Sequence, residues 1–277
     1  MLILQMKIIT NTKQLISIIN SKNLDLSFIP TMGGLHKGHL SLITKAKKKK
    51  LKTLVSIFVN PTQFNNINDF KSYPRNINKD IIMLKKVKPD FLFIPKKNDL
   101  FKDKRINKIK LSKFSKYLCG KYRENHFIGV VDVIDRFLKI IDPIYIFLGE
   151  KDYQQLILIK NFINKKYKTV VVPCKTIRNK KGLAYSTRNF LLNNKEKIIG
   201  SRIYQLVKKN KKFIKKKTDY YKILKNLNKK ILKLGVKKIE YLELIDVDTN
   251  TKISDKTKKF KIFIAYYLGA IRLIDNV

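Results

Sequence analysis

Two closely spaced histidines, His36 and His39, are the residues of this chain best suited to chemistry. They lie in PTMGGLHKGHLSLI, residues 30–43, and are two of the three histidines among 277 residues. The apolar run before Pro30 predicts a buried strand, and the apolar spacing after His39 predicts a helix that opens there. The unpaired N–H groups and the dipole of a helix N-terminus attract anions. Two imidazoles on that rim suit the α-phosphate of ATP or a departing pyrophosphate.

Two further segments carry groups that suit phosphate. Ser186, Thr187 and Arg188 stand in YSTRN, where two hydroxyls and a guanidinium in a loop could fold over a triphosphate. In GEKD, Lys151 could bridge phosphates and Asp152 could hold a ribose or a metal ion. Taken singly, the first segment could be an ordinary turn and the second a surface salt bridge. Their joint occurrence with the two histidines favours a nucleotide site.

Amide side chains form a third group of candidates. Asn60 and Gln63 follow an apolar strand-like run, and Gln155 opens a helical pattern. In open α/β sheets, ligands bind outside the carboxyl ends of the strands. Neutral amides there suit the hydroxyl and carboxylate groups of a small substrate, with ordinary capping as the alternative. A zinc site is disfavoured, because no neighbouring cysteine or carboxylate completes a ligand set with the two histidines.

The net charge of +42 is the most unusual feature of the composition. A basic surface can bind nucleic acid, but lysine carries nearly all of this charge and no basic motif with interleaved aromatic residues accompanies it. We therefore favour compositional drift over a specific nucleic-acid partner. Cys119 and Cys174 are too few for a disulfide framework, and no apolar stretch approaches the ~18 residues of a membrane span. With no signal-peptide pattern after Met1, we expect a cytoplasmic protein with no membrane partner, and Met6 is an alternative start.

The order of apolar runs predicts an α/β fold with a Rossmann-like, doubly wound parallel sheet and a smaller α+β C-terminal lid domain. We place the domains at residues 1–176 and 177–277. Residues 7–20 predict a short strand that leads into a helix. The other expected strands of the sheet are 26–30, 52–60, 90–95, 144–149 and 169–174, with helices from His39 and over 78–87 and 128–142, a strand–turn–helix over 149–163, and a possible short strand at 108–114. In the second domain, we expect helices over about 195–212 and 217–234 and strands over 236–246, 260–267 and 270–275.

The whole chain resembles the pantothenate synthetase (pantoate–β-alanine ligase) family. The resemblance is carried by several blocks in the family's order: PTMGGLHKGHLSLI, SIFVNPTQF, DFKSYPRN, HFIGV, FLGEKDYQQLILI, GLAYSTRN, EYLELID and LGAIRLIDN. It implies that ATP and pantoate form an enzyme-bound pantoyl adenylate and pyrophosphate, and that β-alanine then gives pantothenate and AMP. It also implies an HxGH-type nucleotidyltransferase fold and a homodimer.

The resemblance also implies site residues. His39 would be the proton-donating histidine, with His36 beside it, and Gln63, Gln155 and Asn60 would lie at the pantoate site. The nucleotide would be held by Met32, Gly33, Gly34, Leu35, His36, Lys37, Gly38 and His39, by Gly149, Glu150, Lys151 and Asp152, by Ile177, and by Tyr185, Ser186, Thr187 and Arg188. Met32 would also touch the substrate. Asp80 falls where the family has a carboxylate associated with Mg2+, although its neighbour here is Lys79 rather than an acid.

The sequence departs from the family pattern in the phosphate loop, which reads YSTRN where MSSRN is usual. Thr187 keeps a hydroxyl and Tyr185 is bulkier than methionine, so we expect activity to be retained or reduced. RENHF in place of RPGHF keeps Arg123 and His126. The competing hypotheses are another HxGH nucleotidyltransferase, a basic RNA-binding protein on a related scaffold, and a slow, degraded member of the same family whose heat stability suffers from its charge.

Overall fold

The computed structural model describes residues 6–101, 109–214 and 220–277. Its larger sheet is parallel, with six strands in the order β1-β4-β3-β2-β5-β6. The strands are β1 (Lys7–Ile9), β2 (Leu26–Thr31), β3 (Lys52–Ile57), β4 (Phe91–Phe93), β5 (Tyr145–Gly149) and β6 (Val170–Cys174). The smaller sheet is antiparallel, in the order β7 (Lys238–Asp246), β8 (Phe260–Leu268), β9 (Ile271–Asn276).

Helices connect the strands of the larger sheet and precede the smaller one. They are α1 (Thr12–Ser21), α2 (Lys37–Lys47), α3 (Ile67–Ser72), α4 (Ile77–Val87), α5 (Lys97–Leu100), α6 (Cys119–Tyr122), α7 (His126–Ile141), α8 (Tyr153–Lys166), α9 (Asn194–Lys211) and α10 (Tyr220–Leu232). Short 3-10 turns lie at Pro61–Gln63, Lys113–Lys116, Glu150–Asp152 and Thr187–Leu191.

The central strands are apolar because the larger sheet is covered on both faces. Every residue of β3 after Lys52 is buried, and Phe28 of β2 packs with Phe137 of α7 at a ring separation of 5.3 Å. On the opposite side, Ile29 and Val55 belong to a second cluster, which includes residues of α2 and α4. Continuous apolar runs of this kind are typical of parallel strands with helices on both faces.

The order of the strands creates a switch point between β2 and β5. From β2 the chain moves outward through β3 to β4, and it then returns to place β5 on the other side of β2. In doubly wound sheets, ligands bind at the carboxyl ends of the two strands that flank such a point. Here those ends lead into the glycine turn before α2 and into the turn Glu150–Asp152.

The predicted α/β architecture with a small C-terminal sheet is confirmed, with element ends shifted by a few residues. Two local predictions are wrong. The segment 109–112 forms no strand and leads into a 3-10 turn, while residue 108 lies outside the described residues. The helix expected from His39 begins at Lys37. The start of the helix expected at 217 also lies outside the described residues. The boundary at residue 176 remains a prediction.

Among the described residues, no helix combines the length and the hydrophobicity that a bilayer crossing requires. Cys119 and Cys174 are both free thiols and both buried. The expectation of unpaired cysteines is therefore confirmed.

A glycine on α7 sets how closely this helix approaches the turn after β3. A Cβ on Gly129 would lie 2.6 Å from the Thr62 carbonyl oxygen. We expect Gly129→Ala to lower the free energy of unfolding by about 1–3 kcal/mol, because the backbone must move to relieve the overlap. Gly149→Ala is the matched control, since a Cβ there meets no atom of the described residues within 4 Å. Urea unfolding of both variants tests this, and equal stability would contradict it.

Candidate active site

A cavity of about 270 Å3 lies at the switch point, between the carboxyl ends of β2 and β5 and the strands β8 and β9. Its volume is close to the lower end of the range for small-molecule sites, roughly 300–1,000 Å3. Of the residues expected at the site, those on its wall are Met32, His36, Gly38, His39, Asn60, Gln63, Gly149, Lys151, Asp152, Gln155, Ile177, Tyr185, Ser186, Thr187 and Arg188. The structure therefore brings together segments that are far apart in the sequence.

The first histidine of the HxGH pattern is the N-cap of α2. The Nδ1 atom of His36 accepts a hydrogen bond from the Gly38 N–H at 3.1 Å, which places the proton of the neutral ring on Nε2. A Cβ on Gly38 would lie 2.9 Å from that same nitrogen. The glycine is thus required by the cap, and Nε2 of His36 remains a hydrogen-bond donor.

Both histidines of the pattern are neutral at pH 7. Burial, with His39 and Lys151 nearby, lowers the pKa of His36 to about 2. Burial also lowers the pKa of His39 to about 4, opposed by Asp152 and assisted by Lys151. The rings stack with centroids 4.0 Å apart. Nδ1 of His39 is buried and finds no hydrogen-bond partner among the described residues, which is unusual for a purely structural histidine.

A buried carboxylate holds the glycine turn in place. The two oxygens of Asp80 accept hydrogen bonds from Gly34 N–H at 2.9 Å and Leu35 N–H at 2.7 Å. Burial raises the pKa of Asp80, and the two amide donors oppose that shift. The carboxylate is 3% exposed and faces backbone, so its position does not favour the role of metal ligand. Among the described residues, no group of three or more His, Cys, Asp or Glu side chains could hold a metal ion.

The YSTRN loop is docked on the glycine turn. The Thr187 hydroxyl donates to the Gly34 carbonyl at 3.0 Å, and a Cβ on Gly34 would overlap the Thr187 methyl group. The hydroxyl of Thr187 therefore faces backbone instead of the cavity. Ser186 caps the following 3-10 turn by accepting a hydrogen bond from Arg188 N–H.

Arg188 is held at the rim of the cavity by a carboxylate of α3. Its Nη2 lies 2.9 and 2.7 Å from the two oxygens of Asp69. Nε and Nη2 carry the hydrogen bonds to Asp69, so the N–H groups of Nη1 are the ones that can donate to a phosphate. The other loop residue of interest, Tyr185, lies against His36 with ring centroids 6.2 Å apart, and its N–H donates to the carbonyl of Ile177 at 3.0 Å.

The turn after β5 places Lys151 and Asp152 opposite the histidines. Lys151 Nζ lies 3.1 Å from Asp152 Oδ1. Burial raises the pKa of Asp152, but the charge and hydrogen bond of Lys151 outweigh it, so the pKa is lowered overall. The turn thus brings one ammonium to the wall of the cavity, paired with the carboxylate of the next residue.

The backbone of Gln63 is held by a neighbouring histidine and arginine. The Gln63 carbonyl accepts hydrogen bonds from His126 Nδ1 at 2.6 Å and from Arg123 Nη2 at 3.0 Å. Burial and the charge of Arg123 lower the pKa of His126 to about 3, so His126 is neutral and its Nε2 accepts from Arg123 Nη1 at 3.1 Å. The Gln63 side-chain amide contacts the sulfur of Met32. These contacts fix where Gln63 enters the cavity.

The amide of Asn60 has a structural task. It is 1% exposed, donates to the Gly129 carbonyl at 2.9 Å and accepts from the N–H and hydroxyl of Thr62 at 3.2 and 2.9 Å. Asn60 thus supports the turn that carries Gln63. Gln155 lies on the cavity wall, whereas its neighbour Gln154 is bound to the backbone of residues 114–119.

Sequence reasoning missed several residues that position the site. They are Asp69, which holds Arg188, the backbone role of Asp80, and the clamp of Arg123 and His126 on Gln63. The available signal was that Asp69 stands in the block DFKSYPRN and His126 in the block HFIGV, each next to a phenylalanine. Because each of these contacts spans 45 residues or more, local spacing could not reveal the partner.

Comparison with known proteins identifies related enzymes. The model of the pantoate-beta-alanine ligase family matches residues 5–277. The pantothenate synthetase of Francisella tularensis subsp. novicida is 38% identical over 275 residues, which cover 98% of this chain and 97% of the relative. The crystal structure of the Francisella tularensis ligase, complexed with beta-gamma ATP and beta-alanine, matches with a TM-score of 0.82 and 37% identity over 98% of this chain and 97% of that one. Pantothenate synthetase from Thermus thermophilus matches with a TM-score of 0.86 and 26% identity over 98% and 99% of the two chains.

The three histidines predict a strong dependence of stability on pH. All three have a pKa below the ordinary value of 6.5, so the unfolded chain binds protons at a higher pH than the native protein. Stability from this source is complete above about pH 6.5 and falls with acidification, by up to about 1.4 kcal/mol per pH unit for each histidine. Urea unfolding between pH 7.5 and 5 measures this slope. His126→Gln should reduce the slope of unfolding free energy against pH by about one third. An unfolding free energy that stays constant between pH 7.5 and 5 would contradict the lowered pKa values of the three histidines.

The position of Asp80 gives a second prediction. Asp80→Asn replaces one acceptor with an amide donor facing a backbone N–H, so we expect a loss of about 1–3 kcal/mol in the free energy of unfolding. The measurement is urea unfolding in the presence of EDTA and without nucleotide. If Asp80 served only as a metal ligand, the variant and the natural protein would unfold at the same urea concentration under these conditions.

Proposed function

This chain belongs to the pantoate–β-alanine ligase family, and from that premise we propose how its site carries out the ATP-dependent condensation of pantoate with β-alanine. In the first step, a pantoate carboxylate oxygen bonds to the α-phosphorus of ATP while the bond from that phosphorus to the β-phosphate oxygen breaks. Pyrophosphate leaves, and a pantoyl adenylate remains. In the second step, the amine of β-alanine bonds to the pantoyl carbonyl carbon, and AMP leaves.

The observation that carries this proposal is the convergence of four segments on one cavity. The HxGH turn follows β2, the lysine turn follows β5, the amide turn follows β3, and the YSTRN loop lies against the first of these. Activating a carboxylate by adenylation needs no covalent enzyme nucleophile. Its main requirements are alignment of the reactants, which can supply on the order of 7–11 kcal/mol, and stabilisation of the negative charge on pyrophosphate.

In this proposal, His36 acts as a neutral hydrogen-bond donor toward phosphate, and His39 becomes a protonated donor once ATP is bound. Nε2–H of His36 is free to donate because Nδ1 is occupied by the Gly38 N–H. The phosphate charge of ATP would raise the low pKa of His39, since an adjacent anion favours the protonated imidazole. A histidine that is neutral before binding therefore becomes a proton donor only when the nucleotide is in place.

The remaining assignments come from the resemblance to the family, and the position of these residues on the cavity wall supports them. Lys151 and Arg188 bind phosphate, and Ile177 with Tyr185 borders the adenine. Gln63 and Gln155 receive pantoate. Asn60 acts by supporting the turn that carries Gln63, since its amide oxygen accepts from Thr62 and one of its N–H groups donates to the Gly129 carbonyl. Thr187 acts by docking the loop.

Mg2+ enters this proposal only as the ion that accompanies the ATP substrate. The oxygens of Asp80 already accept two backbone N–H groups in a buried position, so the residue does not fit the expected ligand role. Magnesium is commonly held by substrate phosphates and water with few protein ligands. We derive no step of the reaction from a metal bound to the protein.

We also propose a homodimer in the cytoplasm, with a Rossmann-like domain over residues 1–176 and a lid domain over 177–277. Support for these assignments comes from the resemblance to the family, the two free thiols and the separate sheet formed by β7 to β9. Light scattering after size-exclusion chromatography measures the oligomeric state directly.

The test of the proposed function is AMP formation with ATP, pantoate and β-alanine, each omitted in turn, beside a His39→Ala variant. We expect pantothenate and AMP only with all three substrates, and a loss of about 100-fold or more in the variant, as for other removed transition-state donors. Pyrophosphate release with pantoate alone, with no further turnover on adding β-alanine, would indicate a defective second step. AMP formation that does not depend on pantoate would contradict the proposal.

A further inference from the structure

The side chain of Asn276, on β9, is bound to the backbone of the lysine turn. Its Nδ2 donates to the carbonyl of Glu150 at 2.8 Å and to that of Lys151 at 2.9 Å. Both N–H groups of this amide are therefore used on two consecutive residues of the turn. The side chain is 4% exposed, so water does not compete for these hydrogen bonds.

The orientation of the Asn276 amide is fixed by a lysine. Nζ of Lys261, on β8, donates to Asn276 Oδ1 at 3.0 Å. An ammonium can only donate, so the amide oxygen must face Lys261 and the NH2 group must face the two carbonyls. The Asn276 amide thus bridges the smaller sheet to the turn at the end of β5.

The neighbouring residue Asp275 holds the other side of the nucleotide site. Its carboxylate binds Arg178 through both oxygens, at 2.6 and 2.8 Å, and Arg178 also donates to the Asn276 carbonyl at 3.1 Å. Arg178 comes directly after Ile177 in the chain, and Ile177 lines the cavity. A bidentate guanidinium–carboxylate pair fixes both distance and orientation, so β9 restrains this loop as well.

We propose that Asn276 is a positioning residue for Lys151, acting through the backbone of the turn that carries the lysine. This inference rests on the proposed function, in which Lys151 binds phosphate. The lysine side chain is long and flexible, so the location of its ammonium depends on where its backbone is held. The two hydrogen bonds from Asn276 hold the carbonyls of residues 150 and 151, and no other side chain among the described residues donates a hydrogen bond to both.

The test is a double-mutant cycle of Asn276→Ala and Lys151→Ala, measured as kcat/KM for ATP in the pantoate-dependent reaction. In the natural background we expect Asn276→Ala to lower kcat/KM by about 100-fold, the size of effect produced by a displacement of about 1 Å. In the Lys151→Ala background, Asn276→Ala should lower kcat/KM by less than about threefold. The effects of two substitutions are not additive when one residue acts through the other.

A second variant separates hydrogen bonding from shape. Asn276→Asp keeps the size of the side chain and its contact with Lys261 but cannot donate to the two carbonyls, so it should resemble Asn276→Ala. The Kd of a non-hydrolysable ATP analogue, measured well below the melting temperature of each variant, should rise in both. This readout needs no turnover.

Asn210→Ala is the matched control. This asparagine also donates Nδ2 to a backbone carbonyl at 2.8 Å, that of Leu206 within α9, and should leave kcat/KM unchanged within about twofold. The positioning role would be overturned if Asn276→Ala lowered kcat/KM equally in the natural protein and in Lys151→Ala. It would also be overturned if Asn276→Asp bound the ATP analogue with the same Kd as the natural protein. A natural protein that forms no pantoate-dependent AMP would instead count against the proposed function.

Discussion

The turn between β2 and α2 depends on one buried carboxylate. Consecutive glycines let the backbone turn with positive φ, 76° at Gly33 and 59° at Gly34, but they also leave backbone N–H groups that need acceptors. The carboxylate of Asp80 accepts hydrogen bonds from the N–H groups of Gly34 and Leu35, and the hydroxyl of Thr187 donates to the Gly34 carbonyl. The conformational freedom that glycine provides is thus removed again by contacts from two distant segments, and the histidines that follow are held at a fixed place.

The same pattern recurs around the cavity, where residues assigned to a substrate are held by side chains of other elements. Gln63 is held by Arg123 and His126, and Lys151 by Asn276. Short turns after parallel strands have few backbone partners of their own, so side chains from other elements complete their hydrogen bonding. The smaller sheet therefore forms part of the site as well as covering it.

Electrostatics explains why a chain of charge +42 carries neutral histidines at its centre. Burial disfavours a charged imidazole, and the nearby lysine and arginine side chains add to this effect. The lysine and arginine side chains of the site thus stand beside neutral histidines, and a polyphosphate brings the negative charge that protonation of His39 requires. Acid conditions, by contrast, favour the unfolded chain, which protonates all three rings freely.

The sequence by itself determined the fold class and most of the residues that reach the cavity. Apolar runs covered on both faces specify parallel strands, and polar residues at their carboxyl ends meet at one edge, so His36, His39, Gln63 and Lys151 were predictable from local pattern. Only the tertiary structure decided which of the polar residues face the cavity and which hold the backbone. Asp80 is an example, because a carboxylate next to a helix start has the same local pattern whether its partner is an ion or a distant N–H group. Which partner Asp80 binds depends on contacts between residues 45 or more positions apart, and the local spacing of residues does not predict such contacts.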